Sequence, residues 1–509
     1  MLHSHECEPK LPAMATEGKL KTRFAPSPTG YLHVGGARTA LFSMLLARKT
    51  GGEFLLRIED TDRARHDETA VAKIIDDLRW LGIQWEEGVD LAADGRVIDR
   101  GPRGPYRQSE RLDIYRTHIE RLLDAGKAYY AFDTAEELNA LRGKAEAAKQ
   151  TFRYPRPDSL PTTTDADKAR ADGRPVVVRF LTPQGDVTIR DDAFGEVTMP
   201  AGQMDDFVIA KADGWPTYHL ANVVDDAMMG VNYVCRGQEF LGQTWRHVLL
   251  REALGFDEPG YCHLPLILDM QGRKLSKRDG AVEVHAFRTA GYLPEALVNF
   301  IALLGWKPSG QREKFALDEM VELFSTDRIG RSNAKFDREK LLAFNTDYAA
   351  AASEDRLLAG LRDYLSLNPQ EPFPADDESL LRKLLRVNAG FRTYADLAAR
   401  CGVLFVADDA YEFDGKAVKK VLARNDGAGF AVLAELRGVL ASCDWTAEAI
   451  EAALKQYAEA KGLGMGKVAQ PVRVAVTGTT ISPGIGQTLE LLGRDRALGR
   501  VERCLKLRE

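Results

Sequence analysis

The chain has 509 residues, 45% hydrophobic and 28% charged, with a formal net charge of −6. That length calls for roughly three or four domains, and no apolar run approaches the ~20 residues of a bilayer span. Six scattered cysteines without a C-x-x-C pair argue against a disulfide scaffold or a cysteine zinc site and for a reducing compartment; the negative total still permits an RNA partner, which needs only local basicity.

Residues 1–18 read as a disordered tail, polar, with Pro9 and Pro12 and without the apolar stretch of a signal peptide; Met14 is an alternative start. Lys21 to Ala25 reads as a strand. After a Pro/Gly turn, Ala37, Ala40, Leu41, Met44 and Leu45 follow the spacing of an amphipathic helix. Gly51 and Gly52 stop that helix, and Phe54 to Ile58 is a second strand. Such a βαβ unit predicts a parallel sheet with ligands at the carboxyl ends of its strands. In the turn stands Arg23-Phe24-Ala25-Pro26-Ser27-Pro28-Thr29-Gly30-Tyr31-Leu32-His33-Val34-Gly35-Gly36. Its glycines admit a ligand to the backbone, the helix start attracts anions, and His33 is placed to donate to phosphate. The plainer reading is a Gly/Pro turn capping an ordinary helix.

Residues 103–212 read as an inserted α+β domain: a Pro-rich polar stretch at Tyr154–Pro175, then strands at Val176–Leu181, Val187–Arg190 and Phe207–Lys211. From Pro216 the apolar character of the first domain resumes. Lys274-Leu275-Ser276-Lys277-Arg278, preceded by Gly272 and Arg273, puts four cations in six residues, enough to wrap a triphosphate and neutralise departing pyrophosphate; a solvated basic loop is the alternative. Beyond about Leu341 the chain turns helical, with apolar faces at Leu380, Leu381, Leu384 and Leu385 and at Ile450, Leu454 and Tyr457. The last stretch, Arg494 to Glu509, carries six basic and three acidic residues, which suits either a phosphate contact or an ordinary exposed helix.

The H-x-G-G turn and the K-x-S-K-R loop about 240 residues later resemble the HIGH and KMSKS signatures of class I aminoacyl-tRNA synthetases. The longer strings around Arg23, Arg57-Ile58-Glu59-Asp60-Thr61-Asp62-Arg63, Tyr218-His219-Leu220-Ala221-Asn222-Val223-Val224-Asp225-Asp226 and Lys274 resemble the glutamyl-tRNA synthetase family in order and spacing. The resemblance implies an α/β fold: a Rossmann-type class I synthetase catalytic domain (19–102 and 213–284), the insert at 103–212 as an acceptor-end-binding domain, a stem-contact region at 285–344, and an all-α anticodon-binding domain at 345–509. It implies that Arg23, Ala25, Ser27, Glu59, Tyr218, Asn222 and Arg236 bind glutamate, with Glu59 on the α-ammonium. It implies that Pro28, Gly30, His33, Gly35, Gly36, Glu239, Lys274, Leu275, Ser276, Lys277 and Arg278 bind ATP, and that His33, Lys274 and Lys277 are catalytic. Arginine forks for two carboxylates and one carboxylate for an ammonium are the right chemistry for glutamate.

Asp60, Asp62 and Arg63 could instead cap the next helix, and Asp225 and Asp226 could be structural rather than metal ligands. Gln238 and Phe240 depart from the residues many relatives carry. Where many relatives have a zinc-binding C-x-C pair, this chain has Ala131 and Asp133, so no zinc is expected. The implied reaction is ATP-dependent activation of L-glutamate, with Mg²⁺ accompanying ATP, and transfer to the terminal ribose of tRNA-Glu, by a cytoplasmic monomer with no membrane partner. The alternatives are a glutaminyl-tRNA synthetase, against which the helical C-terminal part argues because that family uses β-barrels there, and a non-catalytic RNA-binding paralogue.

Overall fold

The computed structural model describes residues 18–61, 68–275 and 282–508. The expected tail and Asp62, Arg63, Ser276, Lys277 and Arg278 of the motifs lie outside the described residues, Gly18 excepted. The chain divides into two units: 1–285 with 297–337, and 286–296 with 338–509.

In the first unit, β1 (Lys21–Phe24), α1 (Val34–Lys49), β2 (Glu53–Leu56), α2 (Glu68–Trp80), β3 (Glu87–Leu91) and β4 (Val97–Arg100) follow in order. The strands lie β1-β2-β3-β4, the first three parallel and the last antiparallel. All five residues of the predicted helical stripe are buried, and Phe42 and Leu46 with them, so α1 is covered well beyond one face. Arg48 and Lys49 in its last turn suit the negative end of the helix dipole, and Gly51 at φ +63° turns the chain out of it. Gly88 in β3 is needed as glycine: a Cβ there would lie 2.0 Å from the Leu56 carbonyl oxygen.

Next come α3 (Leu112–Asp124), β5 (Ala128–Ala131), α4 (Ala135–Ala147), α5 (Thr163–Ala171), β6 (Val177–Phe180), β7 (Val187–Asp191), β8 (Gly195–Met199), β9 (Val208–Ala210), α6 (Tyr218–Met228), β10 (Tyr233–Gly237), α7 (Thr244–Leu254) and β11 (Gly260–Leu264). One antiparallel sheet has the order β5-β6-β9; another sheet has β10-β11-β7-β8. The stretch expected to be a single insert therefore sits on two sheets. The β7–β8 hairpin leaves its neighbour β6 and runs parallel to β11, with Tyr261 opposite Asp191. Asp191 takes it there: its carboxylate accepts the backbone N–H of His263 at 2.9 Å, and the buried residues Val187, Ile189 and Asp191 line one face of β7. Asp133 accepts the Tyr154 hydroxyl at 2.6 Å, so one of the two would-be zinc positions has a protein partner.

β1 lies beside β10 as well as β2: the Asn232 backbone N–H donates to the Lys21 carbonyl at 3.1 Å, and Asn232 Oδ1 accepts from the Lys21 N–H at 2.8 Å. The chain thus leaves β1 to one side through α1 and β2 and returns on the other as β10. That reversal makes the crevice past the carboxyl ends of β1 and β10 a topological switch point, where open α/β sheets collect ligands.

The second unit is helical, with no strand among its described residues. Leu381, Leu384 and Leu385 pack with Leu361, Tyr394 and Leu397. Ile450 and Leu454 pack with Leu433, Leu436, Val472 and Leu489. The last long helix, Arg494–Leu505, buries Ala497, Arg500, Val501 and Cys504, so it is not an ordinary exposed helix. Arg500 is fully buried and donates to the carbonyls of Val403, Val406 and Val476 at 2.8–2.9 Å and to Asp408 at 2.7 Å. Arg496 donates to Asp408 and the Val406 carbonyl, Arg503 to the carbonyls of Asp408 and Tyr411, and Arg494 to that of Cys443. Four of the six basic residues of this stretch are therefore structural anchors.

Candidate active site

The switch-point crevice opens into a cavity of about 1030 Å³. Arg23, Ala25 and Ser27 enter it from the end of β1, and His33, Gly35 and Gly36 from the start of α1. Glu59 follows β2, while Tyr218 and Asn222 project from the first turns of α6. Arg236 and Glu239 come from the end of β10, and Lys274 and Leu275 lead into the basic loop. Pro28 and Gly30 of the first motif do not line the cavity.

Thr39, Gln108 and Lys211 line it without having been singled out from the sequence. Lys211 follows β9, so an edge of the expected insert reaches the site. Arg23, Arg38, Lys211, Arg236 and Lys274 face two acids, Glu59 and Glu239; that surplus of cations favours an anionic occupant.

His33 is the N-cap of α1. Its Nδ1 accepts the Gly35 N–H at 3.0 Å, so the neutral ring carries its proton on Nε2 and can donate there. Gly36 keeps the turn tight: a Cβ would lie 3.0 Å from Leu32 Cδ1 and 3.3 Å from Phe24 Cζ. Both described ends of the basic loop are held by backbone hydrogen bonds. The Leu275 N–H donates to Ile267 at 3.1 Å, while Val34 donates to the Val282 carbonyl at 2.9 Å and Val284 to that of Leu32 at 2.8 Å. The chain after residue 281 is thereby tied to the mouth of α1, some 240 positions away in sequence, and Lys274 lines the same cavity as His33.

A buried ion network surrounds Glu59 and Arg23 of the cavity lining. Arg57, with no exposed surface, reaches Asp226 at 2.7 Å, Glu59 at 3.1 Å and Asp225 at 3.7 Å. Asp225 also accepts from Arg111 at 2.7 Å, Gln108 at 2.8 Å and Tyr115 at 2.9 Å. Asp226 accepts from Arg23 Nε at 3.2 Å. Both aspartates are spent on cations and hydrogen bonds that tie α6 to β1, β2 and α3, which is structural work and not metal ligation. Burial opposes ionisation of Asp226, yet Arg23 and Arg57 hold its pKa at about 2. The Asp60 carboxylate accepts the Ser109 N–H at 2.7 Å and hydroxyl at 2.6 Å.

Glu59 accepts Asn222 Nδ2 at 2.7 Å. Burial raises its pKa against the pull of Arg57 and Asn222. Arg236, 5% exposed, has no carboxylate partner among the described residues. Its donors go to neutral groups: Nε to His263 Nε2 at 3.1 Å, Nη2 to Thr244 Oγ1 at 2.8 Å, and Nη1 to the Tyr218 hydroxyl at 3.2 Å and His247 Nδ1 at 3.4 Å. Arg23, by contrast, already shares Asp226. A buried cation facing a cavity without a counter-charge is the strongest local sign of an anionic ligand.

The family described as tRNA synthetases class I (E and Q), catalytic domain, matches residues 19–343, and an anticodon binding domain family matches 356–505. The chain is 41% identical over 492 residues to the glutamate–tRNA ligase of Anaeromyxobacter sp. (strain Fw109-5), covering 96% of this chain and 99% of that protein. It is 37% identical to that of Moorella thermoacetica, with 96% and 98% covered. Among solved structures, a glutamate tRNA ligase from Elizabethkingia meningosepticum, in complex with its amino acid, is similar with a TM-score of 0.79 and 35% identity over 96% of this chain and 99% of that one.

Proposed function

The chain belongs to the glutamate–tRNA ligase family of class I tRNA synthetases, and from that premise we propose that its switch-point cavity activates L-glutamate with ATP and passes the glutamyl group to the 3′-terminal adenosine of tRNA-Glu. The observation that carries this assignment of the cavity is Arg236, a buried cation lacking a counter-charge, set across from the acid Glu59. Glu59 takes the α-ammonium, Arg236 a carboxylate, and Tyr218, Asn222, Ser27, Ala25 and Arg23 complete the pocket.

The attacking group is the α-carboxylate of glutamate, already an anion, so the α-phosphorus of ATP needs no protein nucleophile. What the chain supplies is in-line placement and stabilisation of charge building on the phosphates. The N–H groups at the start of α1, the Nε2–H of His33, Lys274 and, from the loop, Lys277 deliver it; Gly35, Gly36, Leu275, Ser276, Arg278 and Glu239 hold the nucleotide. No group of three or more His, Cys, Asp or Glu side chains that could hold a metal occurs among the described residues. The Mg²⁺ that accompanies ATP would be held by the nucleotide's own phosphates.

We assign the acceptor end of the tRNA to the insert and the anticodon to the helical unit, in a cytoplasmic monomer. No described helix is long and apolar enough to cross a membrane. The test is aminoacylation with purified tRNA-Glu and tRNA-Gln, offering glutamate and glutamine in turn. Glutamate on tRNA-Glu is expected to be the preferred pairing; a preference for glutamine overturns the reading.

A further inference from the structure

The cation that makes the pocket selective does not orient itself. Arg236 is held on its Nε side by His263 at 3.1 Å, and His263 Nδ1 lies 2.6 Å from Asp191 Oδ2. His263 and Asp191 expose no side-chain surface. The protons in this cluster have only one consistent arrangement. The Thr244 hydroxyl donates to the Phe240 carbonyl at 2.9 Å and accepts from Arg236 Nη2, so it has no proton left for His263. Arg236 Nε is a donor in every state. His263 Nε2 must therefore be a bare acceptor, and its ring proton sits on Nδ1, donated to Asp191.

Both Asp191 oxygens are acceptors elsewhere too: Oδ2 also accepts the His263 backbone N–H, and Oδ1 accepts the N–H groups of Ala193 and Phe194 at 3.0 and 2.9 Å. A protonated His263 would turn a second donor on Arg236 Nε and place two cations in contact. Burial and the neighbouring Arg236 oppose that charge, and its pKa lies below the ordinary histidine value despite Asp191.

We propose that Asp191 and His263 are positioning residues for glutamate recognition: Asp191 fixes the tautomer of His263, and His263 fixes the plane of the Arg236 guanidinium that receives a substrate carboxylate. This rests on the reading of Arg236 as the carboxylate receptor. Asp191 closes β7, within the stretch expected to serve tRNA; the hairpin's excursion to β11 thereby gains a purpose in the amino-acid pocket.

The experiment compares His263→Leu, His263→Gln, Asp191→Asn and Arg236→Ala with the full-length wild type. It measures KM for glutamate and for ATP in activation assays with tRNA present, and thermal melting to establish folding. His263→Leu removes the acceptor, and Asp191→Asn lets the ring proton move to Nε2, against Arg236. Each is expected to raise KM for glutamate about tenfold or more, the effect of one charge-assisted hydrogen bond, with KM for ATP within about twofold.

His263→Gln, whose amide oxygen can accept from Arg236 while its NH₂ donates to Asp191, is expected to stay near wild type. A purely structural role would lower the melting temperature in all three without splitting the two KM values and without rescue by glutamine. Folded His263→Leu or Asp191→Asn with unchanged KM for glutamate overturns the proposal. If Asp191→Asn does not fold, the leucine and glutamine pair at position 263 decides. An unchanged KM in Arg236→Ala would instead overturn the reading of Arg236 itself.

Discussion

Arg23 and Arg236 both line the cavity, and their partners separate the roles proposed for them. Arg23 is half neutralised by Asp226, which Arg57 also reaches; among the described residues Arg236 meets only neutral acceptors. The resemblance puts both in the pocket without separating them, because spacing shows where a cation lies but not what already pairs with it. Glu59 is the counterpart on the acidic side. Its carboxyl is pushed up by burial, an effect that Arg57 and Asn222 offset only in part. To hold an ammonium it must be ionised. A raised pKa means that the ionised fraction starts to fall, on acidification, at a higher pH than for an ordinary glutamate near 4.3. The affinity for glutamate is present above that raised pKa and lost as pH falls through it. The log kcat/KM for glutamate against pH should therefore show an acid limb above the usual carboxylate range, with KM for ATP flat across it. An acid limb at or below pH 4 would take the ammonium contact away from Glu59.

At the scale of elements, what could be read from sequence was what local chemistry dictates. The buried stripe of α1, its glycine stop and the H-x-G-G turn are set by residues within a few positions of each other, and they stand where the spacing put them. The β7–β8 hairpin was not legible as a partner of β11, because that pairing joins Asp191 to His263 across 72 positions. The cavity's Gln108 and Lys211 carried no motif at all. The basic loop lies between these cases: its composition is explicit, and the structure ties one described end, Val282–Val284, to the start of α1 and the other, Leu275, to Ile267. Lys277, on that loop, is expected to act on charge that develops in the transition state and not on bound glutamate. Lys277→Ala should cut the activation rate about 10²–10³-fold and leave KM for glutamate nearly unchanged. Single-turnover activation at saturating ATP measures it, and an unaltered rate removes the loop from the mechanism.

For the molecule as a whole, the helical unit has its own cores, and its last long helix is held by arginines directed inward. Arg500 alone donates to three backbone carbonyls, those of Val403, Val406 and Val476. The basic composition of this stretch suggested a phosphate contact, since sequence counts charges without revealing that one of them is fully buried. Arg500→Met keeps the volume of the stem but takes the donor from the Val403 and Val476 carbonyls, while Val406 keeps Arg496; each carbonyl left unsatisfied is worth about 1–3 kcal/mol. In a unit of this size each kcal/mol lowers the melting temperature by about 2–4 °C. The variant should therefore melt several degrees below wild type. Glutamate and ATP binding should hold at temperatures where the protein is still folded, because the pocket residues belong to the other unit. Calorimetric melting and glutamate titration on the same preparation test both halves. The opposite pattern, an unchanged melt with tRNA affinity lost most severely at low salt, where phosphate contacts are strongest, would return Arg500 to the RNA surface.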